Sequence, residues 1–234
     1  MSGAAEAAPF EYAGSELALF EKAVHWKRYW RARIAPFIHG NVLEAGAGIG
    51  ANTRLLADLP YRSWTCLEPD AALAAQIELP TGLHRKITGT IADLTESFDT
   101  IIYIDVLEHI EDDAAEMARA AARLNPGGHV IVLAPAHGFL YTPFDAAIGH
   151  FRRYSRASLR NAAPAGLRES KIIYLDAAGL LASAANRLLL RQAMPTERQI
   201  LAWDRLMIPI SRAIDPLFGH RLGKSVLGVW QREM

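Results

Sequence analysis

The chain has 234 residues, 51% hydrophobic and 21% charged. That supplies a sizeable core for one domain and excludes a disordered or low-complexity protein. Lys and Arg total 25, as do Asp and Glu; zero net charge argues against a dedicated nucleic-acid binder, which needs a basic face. Its single cysteine, Cys66, excludes a disulfide framework and a cysteine zinc cluster and fits a reducing, cytoplasmic setting.

Residues 1–14 read as a loose tail with neither a basic region nor a hydrophobic run of the signal-peptide kind. Ser15 is placed to cap a helix running to Ile34, with Leu17, Phe20, Val24 and Trp30 at helical spacing and Pro36 ending it. Its basic residues, Lys27, Arg28, Arg31 and Arg33, flank Trp26 and Trp30. Val42-Leu43 predicts a strand entering a glycine cluster, Asn52–Leu59 a helix, and Trp64–Leu67 a strand ending at Glu68. A short helix follows Pro69-Asp70, Ile87-Thr88 is a third strand, Phe98–Ile104 a stronger one, and Glu111–Leu124 a helix. Asn125-Pro-Gly-Gly128 is a turn by residue type, and His129–Ala134 an apolar strand stopped by Pro135. Strands alternating with helices, some apolar on both faces, imply a parallel sheet covered on both sides.

Beyond it, 136–155 forms a long loop rich in aromatics, histidines and arginines. Ser158–Leu167 predicts a short helix broken at Pro164, Lys171–Leu175 a strand, and Ser225–Trp230 a closing strand. Residues 177–222 are helical and apolar, with Leu180, Leu181, Ala184, Leu188 and Leu189 at helical spacing, then Ile200, Trp203, Leu206 and Met207. The region fits a lid over the sheet, a dimer interface, an apolar substrate pocket or a membrane-surface contact. No stretch reaches the ~18 uncharged apolar residues of a spanning helix. The organisation expected is a helical cap (1–40), a cofactor-binding core (41–135), and a lid loop, helical insertion and closing strands (136–234).

Three constellations carry chemistry. In Val42-Leu-Glu-Ala-Gly-Ala-Gly-Ile-Gly-Ala-Asn-Thr53, a strand meets Glu44, then Gly46, Gly48 and Gly50, then a helix. Such a turn lets backbone approach a ligand closely. Glu44 would repel a pyrophosphate and hold a cationic amino-acid group, and Glu68, 24 residues on, can accept both hydroxyls of a ribose. Second, Asp105, Glu108 and His109 would share a face if the segment turns helically, a set able to hold a divalent cation such as Mg2+. Third, Tyr141–Ser155 follows a strand whose carboxyl end is where open α/β sheets bind ligands. Arg152 and Arg153 could grip an anionic group, and His137 and His150 are candidate general bases. The alternative is an ordering network built on Asp145, an arginine and histidine–backbone bonds. Trp26, Tyr29 and Tyr141 are candidate acceptor-pocket residues.

Together with Leu67–Asp70, Gly89–Leu94, Phe98–Ile110 and Leu124–Gly128, the glycine segment resembles the class I S-adenosylmethionine-dependent methyltransferases of the small-molecule type, over about residues 40–135. The resemblance implies an α/β, Rossmann-like, seven-stranded mostly parallel sheet with a reversed last hairpin, helices on both faces and a helical lid. It implies that Glu44, Ala45, Gly46, Gly48 and Gly50 hold the methionine moiety, Glu68 and Pro69 the ribose, and Thr90, Ile91 and Ile104 the adenine side. Many members carry an acid where Thr90 stands; here the acid comes at Asp93. The 105–109 run is similar to the acid-x-x-Glu-His motif of magnesium-dependent ubiquinone-pathway O-methyltransferases. The activity expected is methyl transfer to a small, partly apolar acceptor, at oxygen. Rivals are a metal-dependent O-methyltransferase using Asp105, Glu108 and His109, including one acting on RNA, a nicotinamide oxidoreductase, and a non-catalytic cofactor-binding protein of this fold. The oligomeric state is left open.

Overall fold

The computed structural model describes residues 21–79, 82, 84–185 and 196–234. The proposed Ser15 cap, Leu17, Phe20, Leu188 and Leu189 lie outside them. Seven strands form one sheet: β1 (Asn41–Ala45), β2 (Ser63–Glu68), β3 (His84–Thr88), β4 (Phe98–Ile104), β5 (Leu124–Pro135), β6 (Leu167–Leu175) and β7 (Ser225–Arg232). The order is β3-β2-β1-β4-β5-β7-β6, with β7 antiparallel to both neighbours and every other pair parallel.

Parallel strands need crossovers, and the helices supply them. They are α1 (Val24–Ile34), α2 (Ala51–Leu56), α3 (Ala71–Gln76), α4 (Asp113–Ala122), α5 (Pro143–Ala147), α6 (Arg156–Ala162), α7 (Ala177–Ala185), α8 (Glu197–Ala202) and α9 (Ile208–Leu217), with a π-turn at Trp203–Met207 joining the last two. Side chains alternate along each strand, so each face has its own core. Leu43, Ile101, Tyr103, Val130 and Val132 pack on one side with Met117 and Leu159. Val42, Ile102, Ile131 and Leu133 pack on the other with Trp30, Ile34 and Ile208.

Several boundaries differ from expectation. Among the described residues, Lys22-Ala23 is not helical and the helix that runs to Ile34 starts at Val24. Asn125–Gly128 is no turn but the start of β5: Phe98 pairs with Leu124 and, after a register shift, Thr100 with His129. Gly128 is needed there, because a Cβ would sit 2.9 Å from the carbonyl oxygens of Asp99 and Asn125. The sixth strand begins at Leu167 rather than Lys171, and helix α6 is capped by Ser155, whose hydroxyl accepts from Ser158 N–H.

The helical region 197–217 is fixed by buried acids that the apolar spacing did not reveal. Its inward residues are Ile200, Asp204, Ile208, Ser211 and Asp215, while Leu206 is 65% exposed. Asp204 accepts the backbone N–H groups of His25 and Trp26. Asp215 accepts the Tyr29 hydroxyl at 2.7 Å and the N–H groups of Asp176 and Ala177. Asp176 in turn takes Ser211 Oγ and the Trp203 indole. These bonds tie α1, α7 and α9 together at the carboxyl end of β6.

Candidate active site

The sheet places every chemistry-bearing segment at one edge: the ends of β1, β2, β4, β5 and β6 and the start of β7. At the end of β1, Glu44 is 2% exposed. Its Oε2 accepts Thr53 Oγ1 at 2.6 Å and Trp64 Nε1 at 2.9 Å, while Oε1 is buried without a hydrogen-bond partner among the described residues. Burial pushes the carboxyl up to about 7, against the pull of those two donors. A buried oxygen left unpaired is costly, and a ligand ammonium would satisfy it.

Gly46, Gly48 and Gly50 have φ of 67°, 55° and 76°. The close approach at Gly46 is to protein: a Cβ there would lie 2.6 Å from Val106 Cγ2. The loop folds down on β2, where Gly48 N–H donates to Glu68 Oε2 at 2.7 Å and Ala47 N–H to the Leu67 carbonyl. Glu68 Oε1 accepts Asp70 N–H at 3.0 Å. Two backbone donors thus orient the carboxylate, and each oxygen keeps a lone pair for a hydroxyl. Burial raises the Glu68 carboxyl while those two donors oppose it.

Pro69 and Thr90 are exposed, and Ile91 is buried in the core under β4. Asp93 is committed to Thr90, taking both its N–H and its hydroxyl in a capping box, so this carboxylate closes the turn. Ala45 and Ile104 are buried strand ends beside the glycine loop.

Asp105 follows β4 with φ of 54°, a left-handed conformation that strains a residue with a Cβ. It keeps open surface, yet the surrounding walls strip water from the carboxyl and push it up to about 6, while His150, Lys224 and Lys27 pull it down. Open surface hemmed in by protein marks the floor of a cleft. Burial lowers both lysines. Neither amine has a hydrogen bond or ion pair among the described residues; Lys224 Nζ lies 4.6 Å above the Trp203 ring. Trp203 also stacks on Trp26, whose ring centre is 5.9 Å away.

Arg153 donates to both oxygens of Asp145, at 2.7 and 3.1 Å, and Asp145 is fully buried. His150 Nδ1 joins the same carboxylate at 2.9 Å. Burial alone would raise Asp145, but His150 and Arg153 hold it well below the usual carboxylate range. Arg152 pairs with Asp113 at 2.8 Å and with the Glu111 carbonyl. Both arginines are therefore turned to groups of this chain, and the cations left facing the cleft are lysines. The Tyr141 hydroxyl donates to the His150 carbonyl. His137 Nε2 bonds the Gly223 carbonyl at 2.9 Å, which assigns the proton to Nε2 and leaves Nδ1 basic. Burial lowers its pKa.

The expected cation set changes membership. Donor atoms of Glu108, His109 and His150 lie within 4.8 Å of one another, and Asp105 is not among them. Glu108 is 0% exposed with neither oxygen hydrogen-bonded among the described residues, and burial, with Asp105 nearby, raises it well above the normal range. Burial and the adjacent His150 lower His109 to about 4. One carboxylate and two imidazoles suit a transition ion better than Mg2+, which prefers oxygen donors.

The sequence reading missed Lys224, Asp176, Asp204 and Asp215. Helical phase was a usable signal for two of them, since Asp204 and Asp215 fall in step with Ile200 and Ile208; Lys224 gave none.

The strand order, the glycine turn after β1 and the acid ending β2 define a class I methyltransferase fold. The methyltransferase domain family matches residues 22–166, and the chain belongs to that family. It is similar to a ubiquinone biosynthesis O-methyltransferase of Paramagnetospirillum magneticum, 31% identical over 98 residues, covering 40% of this chain and 39% of that protein. The chain therefore aligns with well under half the length of that curated relative. Among solved structures it resembles the methyltransferase in a Haloferax volcanii complex with the Trm112 methyltransferase activator (TM-score 0.66, 17% identity, 95% of each chain). It also resembles phosphoethanolamine N-methyltransferase 2 of Haemonchus contortus in complex with phosphomonomethylethanolamine and S-adenosylhomocysteine (TM-score 0.63, 13% identity, 95% of this chain and 58% of that one). No helix among the described residues is long and apolar enough to cross a membrane.

Proposed function

We propose that the chain methylates an oxygen of a small, partly apolar acceptor that carries an anionic group. Bound S-adenosylmethionine supplies an electrophilic methyl group. On this reading Glu44 Oε1 takes the ammonium of its methionine part and Glu68 the ribose hydroxyls, with the backbone of Gly46–Gly50 between them. Direct displacement depends mainly on holding acceptor and methyl in line, a task for Trp203, which packs against Trp26 and Lys224.

The observation that carries the oxygen assignment is Asp105, a strained and accessible carboxylate at the end of β4. A hydroxyl is a weak nucleophile until it begins to lose its proton. Asp105 accepts that proton as the oxygen–methyl bond forms and the methyl–sulfur bond breaks. Asp145 orients His150, which acts electrostatically on Asp105, and the Gly223 carbonyl orients His137. Lys27 and Lys224, with which no carboxylate among the described residues forms an ion pair, face the anionic group of the acceptor. A transition ion on Glu108, His109 and His150 is a second reading, favoured by buried Glu108 oxygens that accept no hydrogen bond among the described residues.

Asp105→Asn tests the assignment. It should abolish labelled-methyl transfer to hydroxylated carboxylates and leave S-adenosylhomocysteine affinity unchanged. Wild-type turnover in that variant, or label found only on amine acceptors, overturns it. Full turnover after chelation refutes the metal reading.

A further inference from the structure

Residues 197–217 form one rod: α8, the π-turn and α9. Its polarity is inverted. Asp204, Ser211 and Asp215 face inward and are fully hydrogen-bonded to α1, α7 and the end of β6. Opposite them Leu206, Ile210, Ala213 and Leu217 recur at spacings of four, three and four. Their large members are 65%, 52% and 82% exposed, and Phe218 continues the stripe at 52%. The buried carboxylate bonds fix the roll of the rod, so these apolar side chains cannot be turned inward without stranding Asp204 and Asp215.

A second row runs beside the stripe. Arg198, Arg205 and Arg212 recur every seven residues, and all are exposed. No carboxylate pairs with any of them among the described residues. The exposed acid of the rod, Glu197, is already bonded to Lys22 at 2.7 Å. The outward face therefore combines an apolar line with a line of uncompensated positive charge, on a chain whose overall charge is zero. Leu181 of α7, which packs on α9 through the Ala178–Ser211 bond, is exposed to 68%.

We infer that the outward face of residues 198–218 docks this protein on an anionic lipid surface. The leucine and isoleucine side chains enter the headgroup–acyl boundary, and the arginines meet lipid phosphates. Lipid fits better than a protein groove, because a bilayer satisfies a long apolar line and a parallel cationic line without matching hydrogen bonds. The rod also carries Trp203, which stacks on Trp26 and Lys224 beside the cleft, so docking brings the cleft to the bilayer. The inference stands apart from methyl transfer and is tested without it.

The test is flotation of the purified full chain with vesicles of mixed phosphatidylglycerol and phosphatidylcholine, and with pure phosphatidylcholine vesicles. Binding is expected to the mixed vesicles, weakening as salt rises. Combined Arg198→Gln, Arg205→Gln and Arg212→Gln should lower vesicle affinity about a hundredfold, roughly fivefold per arginine. Combined Leu206→Ser, Ile210→Ser and Leu217→Ser should abolish binding. Both variants should keep the wild-type melting temperature and cofactor affinity, since the altered side chains are exposed. No flotation with anionic vesicles, or equal binding to both compositions, overturns the inference. So does a wild-type dimer in light scattering that the serine variant converts to monomer, which would make the stripe an interface between copies.

Discussion

With the cofactor's ammonium on Glu44, as proposed, cofactor binding becomes pH-dependent. Burial raises the Glu44 carboxyl from 4.5 to about 7. Thr53, Trp64 and Arg54 favour its ionised form, Glu68 opposes it, and Lys27 and Cys66 are the other titratable groups it faces. A carboxyl raised on folding is held protonated by the folded state between those two values. Its contribution therefore favours folding below the lower value and is lost as pH rises through the upper one. The ionised form costs the free protein on the order of 3 kcal/mol, and a ligand ammonium against Oε1 offsets that cost. Binding then requires deprotonation. With a pKa near 7, about nine-tenths of Glu44 is ionised at about pH 8 and about one-tenth at about pH 6, so affinity should fall about tenfold across that interval. Calorimetric titration with S-adenosylhomocysteine measures it. Repeating the titration near pH 6 in buffers of different ionisation enthalpy should reveal close to one proton released per ligand bound. Glu44→Gln should bind weakly and without this pH slope. A flat wild-type profile, or a Gln variant that keeps the slope, refutes the assignment of the ammonium to Glu44.

Glu68→Ala should weaken S-adenosylhomocysteine roughly ten- to hundredfold, the loss of charged hydrogen bonds worth about 1.5–3 kcal/mol; affinity within about threefold of wild type would remove the ribose role. Gly46→Ala combines φ of 67° with a Cβ 2.6 Å from Val106 Cγ2 and should cost on the order of 1–3 kcal/mol in denaturant unfolding. Val106→Ala should restore only the steric part of that loss. Asp145→Asn leaves Arg153 and His150 without their carboxylate, a loss of about 3–5 kcal/mol, or roughly 6–20 °C in melting temperature. Because Asp145 is held below the normal range, the wild-type contribution is complete above about pH 4 and fades as pH falls below it; a variant melting at wild-type temperature at neutral pH would show the network to be idle.

What the sequence carried by itself was local. Phe98–Ile104 is a strand because six of its seven residues, all but Asp99, are apolar, aromatic or β-branched and leave no polar face for a helix. Gly46, Gly48 and Gly50 turn the chain because three positive φ values within five residues admit little else. Glu44 and Glu68 are legible because a carboxylate ending an apolar strand must lie at the sheet's edge. Only the tertiary structure decided which charges were used up. Arg153 and Arg152, which the sequence offers to a ligand, are neutralised by Asp145 and Asp113, while Lys224, which it offers to nothing, is left facing the cleft. Asn125–Gly128 looks like a turn until pairing with β4 draws it into a strand. Leu206 looks like core until Asp204, bonded to a backbone 178 residues away, takes the inward position. Such outcomes are set by competition among partners distant in the chain, and the winner depends on geometry that exists only once the sheet has brought them together.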